Sequence, residues 1–450
     1  MDFAGDYKLE SIVVHSATGS IDIKALMLEM NIYESIHSPN LSGSLVVADT
    51  GNHIQNMPII GQEDIEFILK TNDDTEAIDF SRYRGRIYKV SDMVRTAESQ
   101  QVYTIHFCSK EMIRNQQVRV KAAYQGAGDV ICEAILVDVL KSKKPISVEK
   151  SDLGIKLLGN NMKPFGFLQM MAKRCRSTVN EDAGFLFYET HRGYNLRSYS
   201  SLCNKFNAPL PAVEKYIVQP SDYNATLNED MQSVIEYRIT KNQDVLAASA
   251  TGLLASRHLI YDLHQKKIEV VDSDYETNFG SFEHMEKDNP GMLFTNTPED
   301  EGGYRMFDFP EQRIKVSTKD TALHTQSTKD ERNFDNHSNQ HFNRLHNVLV
   351  HDQIVAKVTV AGNSNLAAGD VIELHVPSYE PVNKEDDRVH DAFLSGRWVI
   401  TKLVHAVSTR EYTTTFDCVK DTVTMPYAET NSTIASKTNY EEKESNTNEI

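Results

Sequence analysis

Apolar and polar positions alternate through most of the first hundred residues. In "EDIEFILK", Ile65, Phe67 and Leu69 alternate with Glu66 and Ile68. In "QVYTIHFCS", Tyr103, Ile105 and Phe107 share one face, and Thr104 and His106 share the other. "SGSLVVAD" (Ser42 to Asp49) and "RGRIYKVSDMV" keep the same period. A repeat of two sends successive side chains to opposite faces of a strand. Residues 8 to 110 therefore predict an antiparallel sheet or small barrel.

The period changes at Lys110. Val130, Ala134 and Val137, with Ile131 and Ile135 on an adjacent line, have helical spacing, and Asp129 is the expected N-cap. A second helix is predicted after Pro164, with Phe165, Leu168, Met171, Ala172 and Cys175 on one stripe. "GFLFYETHRGYNLRSY" predicts a hairpin turning at His191, Arg192 and Gly193. Strand patterns return over 216 to 249, and "LLASRHLIYDLHQKKIEVVDSDY" predicts two strands around "DLHQKK". From Asp272 to about Asn336 the chain is polar and turn-rich, which predicts long surface loops with little to bury. A helix is expected from His337 to Asp352, with Phe342, Leu345 and Leu349 in a stripe and Val348 beside it. After the polar insert "YEPVNKEDDRVHDAF" come two further strands, "GRWVITKLVHAVS" and "EYTTTFDCVK". The tail from Thr424 to Ile450 is acidic and aperiodic, which predicts disorder alone and order on a partner.

The fold class expected is mainly β with an α+β middle domain: two small antiparallel β-barrels and a mixed α/β domain. Residues 1–110 form the first barrel in this reading, and 111–215 with 250–336 a discontinuous mixed domain. Residues 216–249 with 337–423 form the second barrel, and 424–450 a flexible acidic tail.

A length of 450 residues suits several domains. The net charge of −17 repels phosphate, which disfavours sequence-specific nucleic-acid binding. The same sign suits a channel that passes DNA without holding it. The five cysteines include no CxxC pair, as expected of packing residues in a reducing compartment. The N-terminus lacks a basic and apolar leader pattern, and the most apolar run, Val130 to Leu140, is short and contains Glu133 and Asp138. These features predict a soluble protein made in a cytosol, with no membrane insertion.

The stretch "VTVAGNSNLAAGDVIELHVPS", Val358 to Ser378, is the first candidate for chemistry. Two glycines bracket a small polar segment, as in phosphate-binding loops. A P-loop needs a lysine and a hydroxyl after its last glycine, but Asp370 and Val371 follow Gly369. A dinucleotide loop needs a following helix, and "DVIELHV" is a strand pattern. The expected role is a structural turn made by Gly362, Leu366, Gly369 and Asp370. In it Gly369 supplies a positive φ and Leu366 plugs the barrel end. His337 and His341 share a helix face at metal-ligand spacing, but no H-E-x-x-H occurs, and a solvated face is the preferred reading. No G-x-S-x-G elbow or recognisable cysteine nucleophile signature is found. No catalytic residue, cofactor site or metal site is assigned. Trp398 is expected to be an interior anchor.

"AKVTVAGNSNLAAGDVIELHVPS", followed by "GRWVITKLVHAVSTREYTTTFDCVKD", resembles the last barrel of the central baseplate hub of T-even-like contractile-tailed phages. The same pattern recurs in VgrG-type spike proteins of type VI secretion. "IYESIHSPNLSGSLVVADTGN" and "PIIGQEDIEF" resemble the first barrel of such hubs, and "KPFGFLQMMAKRC…FLFYETHRGYNLRS" resembles the helix and hairpin of their middle domain. The likeness runs to about Val423.

The resemblance implies a non-enzymatic structural virion protein, made in the host bacterial cytoplasm. It implies a homotrimer whose six barrels match the sixfold tail tube and whose other face holds a threefold central spike, often lysozyme-bearing. Tube protein and other baseplate subunits are the further partners implied, and DNA would pass through the bore without specific binding. The chain carries no spike domain after its second barrel, so the spike is expected on a separate polypeptide. Met425, Pro426 and Tyr427 are candidate spike contacts in the tail. The polar stretches 272–336 and 379–394 are longer than the barrel pattern needs. A cell-wall-degrading tail-tip enzyme and a VgrG-like hub–spike component remain the alternatives.

Overall fold

The computed structural model describes residues 3–56, 59–71, 76–98, 100–151, 154–179, 183–203, 214–218, 226–262, 266–280, 283–285, 306–318, 344, 353–378, 390–391 and 393–424. Strands Asp64–Lys70 and Gln100–Ser109 bury Ile65, Phe67, Leu69, Tyr103, Ile105 and Phe107 completely. These are the apolar phases of the two alternating runs. Phe67 stacks on Phe80 with ring centroids 4.5 Å apart, and Phe107 meets both rings edge-on.

Among the described residues, fourteen strands join one ladder. Its path runs Val234–Asn242, Ile354–Ala361, Tyr412–Lys420, Gly396–Ser408, Met27–Ser35, Ser42–Asp49, Gln100–Ser109, Gly85–Ala97, Asp64–Lys70, Lys8–Ser16 and Gly19–Asp22. Glu214–Ile217 lies parallel to Val371–His375, which in turn pairs antiparallel with Gly396–Ser408. The expectation of two small antiparallel β-barrels is met only as far as mainly β structure. Among the described residues the pairing closes no barrel, and the two β units form one ladder. The join is antiparallel pairing of Met27–Ser35 with Gly396–Ser408, from Glu29 opposite Ser408 to Ser35 opposite Lys402. An unpaired strand edge is a template for association, and here the chain fills that edge itself. The first core accordingly includes Val407 and Tyr412 from the far end of the sequence.

A second core occupies residues 120 to 196. Helix Pro164–Ala172 starts on its proline and packs Phe165, Leu168 and Met171 against the hairpin Leu186–Thr190 and Gly193–Arg197. Helix Gly128–Ala134 widens into a π turn over Ile135–Val139. Two details differ from the sequence expectation. Ala127 is the N-cap, while Asp129 sits in the first turn and accepts from Ser151 Oγ at 3.3 Å. Ile131 and Ile135 form the buried line, whereas Val130 and Val137 face outward. The third core surrounds Trp398, which is fully buried and donates from Nε1 to the Leu394 carbonyl at 3.1 Å.

The polar stretch after Asp272 is not simply loop. Strand Ala255–Asp262 pairs antiparallel with Lys267–Asp274 and parallel with Ile314–Thr318. Asp274 caps the short helix Tyr275–Phe279 by accepting from the Thr277 N–H at 2.7 Å. Tyr275, Phe279 and Phe307 bury themselves with Ala248, Leu253 and Leu254. The apolar residues are few, but aromatic rings bury large areas each, which is enough for a small core. Of the helix expected at His337 to Asp352 only Arg344 is among the described residues, and it is helical; the histidines and most of the insert after Ser378 lie outside them.

His284 fastens this region to the end of the last strand. Its Nδ1 lies 2.8 Å from Asp421 Oδ2 and its Nε2 2.7 Å from the Phe279 carbonyl, so both nitrogens face acceptors. Burial opposes the charged ring, but the Asp421 hydrogen bond and charge outweigh it and raise the pKa above the ordinary histidine value. A raised folded value gives stability that is complete below the unfolded pKa of about 6.5 and is lost as pH rises through the folded one. Urea midpoints of the wild type should therefore fall relative to His284→Gln between about pH 6 and 9. Parallel curves would show that the contact does not hold the proton.

Candidate functional site

The loop from Gly362 to Asp370 lies where three parts of the chain meet. Gly362 rests against Tyr412, and a Cβ there would stand 2.1 Å from the ring. Gly369 has φ +95°, and a Cβ there would stand 2.5 Å from Tyr188 Oη. Leu366 is buried among Trp398, Phe416 and their neighbours. Asp370 Oδ2 accepts from the Ala367 N–H at 2.9 Å, which closes the turn, and Oδ1 accepts from Arg192 Nη1 at 2.9 Å. The turn residues expected from sequence are thus brought together against the tip of the middle hairpin. The tail residues Met425, Pro426 and Tyr427 lie outside the described residues.

The loop also holds the first β unit. The Ser364 N–H donates to Thr71 Oγ1 at 2.8 Å, the Glu76 N–H donates to Asn365 Oδ1 at 2.8 Å, and the Ala368 N–H donates to Glu34 Oε2 at 3.0 Å. The other oxygen of Glu34 accepts from the His191 N–H at 2.6 Å and from His191 Nδ1 at 2.9 Å. Burial by itself would raise the Glu34 pKa, but the His191 interactions, His405 and the Ala368 N–H together hold it below the usual value. His405 stands beside this carboxylate, with Nδ1 2.7 Å from Tyr412 Oη. Burial keeps its imidazole neutral, with the pKa pushed down to about 3.

A second buried carboxylate ties the middle unit to the first. Glu189 is fully buried and accepts from the Leu41 N–H at 2.8 Å, from Ser109 Oγ at 2.6 Å and from Lys144. Burial opposes the Lys144 charge, but Glu189 and Glu111 outweigh it and raise its pKa. An open cleft of about 400 Å³ runs past Tyr188, Arg192, Asn195, Arg197 and Asp370.

Sequence reading took His191 and Arg192 only as turn residues and missed Glu34 and His405. The available signal was phase. Glu34 follows Met30 and Ile32 on the buried face of its strand, and His405 falls between Leu403 and Val407 on the buried face of its own. A polar residue on a buried phase requires partners.

The donors around Glu34 and Glu189 join the units to one another. All five cysteines are buried and unbridged, and burial pushes the thiols of Cys108 and Cys175 up to about 12. A thiol so raised is a poor nucleophile. Apolar side chains do reach the surface in groups. In the Ala255–Asp262 sheet, Leu259 lies opposite Val270 and Val316, and Tyr261 lies opposite Ile268, so these share one face. Val316 is 71% exposed, Ile268 56% and Val270 54%. Met93 and Val94 are exposed near the tip of the hairpin formed by Gly85–Ala97 and Gln100–Ser109, and Ile235 is exposed on the strand that ends the ladder. Grouped surface like this marks contact sites.

No family model matches the chain. Over 432 residues it is 21% identical to a protein of Vibrio phage KVP40 described as "Probable baseplate hub protein gp334", covering 92% of this chain and 95% of the other. The chain is similar to a phage baseplate hub protein. Its fold is shared, at 10% identity, by the crystal structure of a tail protein from Neisseria meningitidis MC58, with a TM-score of 0.51 over 92% of this chain and 97% of that one. The 43 kDa tail protein of prophage MuSo2 from Shewanella oneidensis also shares it, with a TM-score of 0.50 at 10% identity over 92% and 98%. The likeness to the hub protein supports a component of a virion tail, and the solved structures support the fold.

Gly369→Ala is expected to destabilise the chain by about 1–3 kcal/mol, since it combines a forbidden φ with a clash. Tyr188→Phe in the same chain should recover only the steric part, as measured by urea unfolding of the two single variants and the double. Additive effects would show that the glycine and the hydroxyl do not meet.

Proposed function

We propose that this chain is the central hub of a contractile phage baseplate. Three copies form a ring that joins the sixfold tail tube to a threefold central spike, and DNA passes through its centre. The observation that carries this reading is the likeness to a baseplate hub protein along nearly the whole chain. Two β units per chain give six in a trimer, the number a sixfold tube requires. In this reading 1–110 is the first unit, 216–249 with 337–423 the second, and 111–215 with 250–336 the domain between them. The tail 424–450 serves the spike, with Met425, Pro426 and Tyr427 as contacts. The turn at Gly362, Leu366, Gly369 and Asp370 sets the unit geometry.

Physical arguments support the proposal. The strand Val234–Asn242 ends the ladder and exposes Ile235, as an edge that a neighbouring copy would cover. Closed cyclic symmetry stops such pairing from running on into a fibre. Part of the net charge of −17 lining the bore would keep DNA from sticking as it passes.

Gel filtration with light scattering should give the mass of three chains, and electron micrographs should show rings with an open centre. A monomer at micromolar concentration, both alone and with the candidate spike, would contradict the trimer. A zymogram on purified peptidoglycan should show no clearing. Lysis by this chain alone would favour a cell-wall enzyme instead. Deleting 424–450 should weaken spike capture and leave the ring intact.

A further inference from the structure

Three side chains from distant parts of the sequence converge beneath the Gly362–Asp370 loop. They are Glu34 from the strand Met27–Ser35, His191 from the middle hairpin and His405 from the strand Gly396–Ser408. Each offers one ligand atom, and the three atoms lie within 4.8 Å of one another. The side chains of Glu34 and His405 are fully buried, and that of His191 is 2% exposed.

The hydrogen bonds leave this cluster incomplete. His191 Nδ1 is taken up by Glu34 Oε1 at 2.9 Å, and His405 Nδ1 by Tyr412 Oη at 2.7 Å. Both Nε2 atoms are buried without a hydrogen-bond partner. The Leu366 carbonyl acts on His405 but does not reach hydrogen-bond geometry. A buried polar atom left unpaired costs about 1–3 kcal/mol, and His405 Nε2, beside the Glu34 carboxylate, calls for something to meet it.

We infer that Glu34, His191 and His405 bind a divalent transition-metal cation, with zinc the best match to the donors. Two imidazole nitrogens and one carboxylate oxygen make a donor set that zinc accepts. The hydrogen bonds agree with that assignment. His405 keeps its Nε2 lone pair for a metal when its Nδ1–H donates to Tyr412 Oη, and at His191 the ion would take the place of the proton between Nδ1 and Glu34 Oε1, which stand 2.9 Å apart. Glu34 is oriented by the backbone N–H groups of His191 and Ala368, and displacing the His191 Nδ1 proton would free a lone pair on Oε1 beside the one left on Oε2. The ion would clasp both halves of the strand ladder to the middle hairpin. The inference goes beyond the hub reading and stands on this geometry alone.

The full chain, stripped with a chelator and dialysed against zinc, should hold one zinc per chain by elemental analysis. Titration calorimetry should show saturable binding, and the thermal midpoint should rise with zinc and fall back on chelation. Glu34→Gln and His405→Gln should each weaken zinc binding about tenfold or more. His15→Gln, on the first β unit, should leave it unchanged. Should those two variants fail to fold, Tyr412→Phe keeps the ring and removes only the partner of His405 Nδ1, and it too should weaken binding. Anomalous scattering at the zinc edge should place the ion between the three side chains. Less than a tenth of a zinc per chain after incubation with excess metal would overturn the inference. So would binding undiminished in Glu34→Gln, in His405→Gln or, where those do not fold, in Tyr412→Phe.

Discussion

A carboxylate taken out of water must be met by donors, and the donors of Glu34 come from elsewhere in the chain. The His191 amide and ring reach it from the middle hairpin, and the Ala368 amide reaches it from the last β unit. Glu189 repeats the arrangement at a second joint, where Leu41 and Ser109 of the first unit and Lys144 of the middle one supply the donors. Breaking a buried charged contact by removing one partner costs about 3–5 kcal/mol, because the other charge stays behind. Apolar contacts tolerate sliding, whereas these contacts fail within a few tenths of an ångström. The units therefore have one relative placement.

The strand ladder gives that placement its reach. Met27–Ser35 lies between a neighbour from its own unit and one from the end of the chain, so movement of one β unit would have to break backbone pairing along the seam. The 362–370 loop presses on the same seam, with Gly362 against Tyr412 and Gly369 against Tyr188. A body with one fixed arrangement of its β units suits the proposed hub, which would have to match a fixed tube symmetry. It also explains why the glycines of this loop are followed by Asp370 rather than a phosphate-binding lysine. Their smallness admits tyrosine rings, and the carboxylate receives Arg192.

Much of the local structure was legible in the sequence. Period-two runs marked the strands around Phe67 and Tyr103, Pro164 marked a helix start, and His191 to Gly193 marked a hairpin turn. What stayed hidden was non-local. Alternation tells which face of a strand is buried but not which strand lies beside it, so the pairing of Met27–Ser35 with Gly396–Ser408 could not be read. Two neighbouring helical lines compete when both are apolar, and the choice between Val130 and Ile131 was made by packing. The aromatic residues from Tyr275 to Phe307 were too sparse to give a period, yet large enough to form a core. Glu34 and His405 carried the correct phase, but their partners lie 157 residues away or more, or on another strand.

Hydrogen exchange read by mass spectrometry on the wild type and Glu34→Gln tests most directly whether buried carboxylates hold the units in one placement. Loss of the charge should raise exchange together in three segments: 29–36, 187–194 and 364–370. A rise confined to 29–36, with the hairpin and the loop as protected as before, would contradict that.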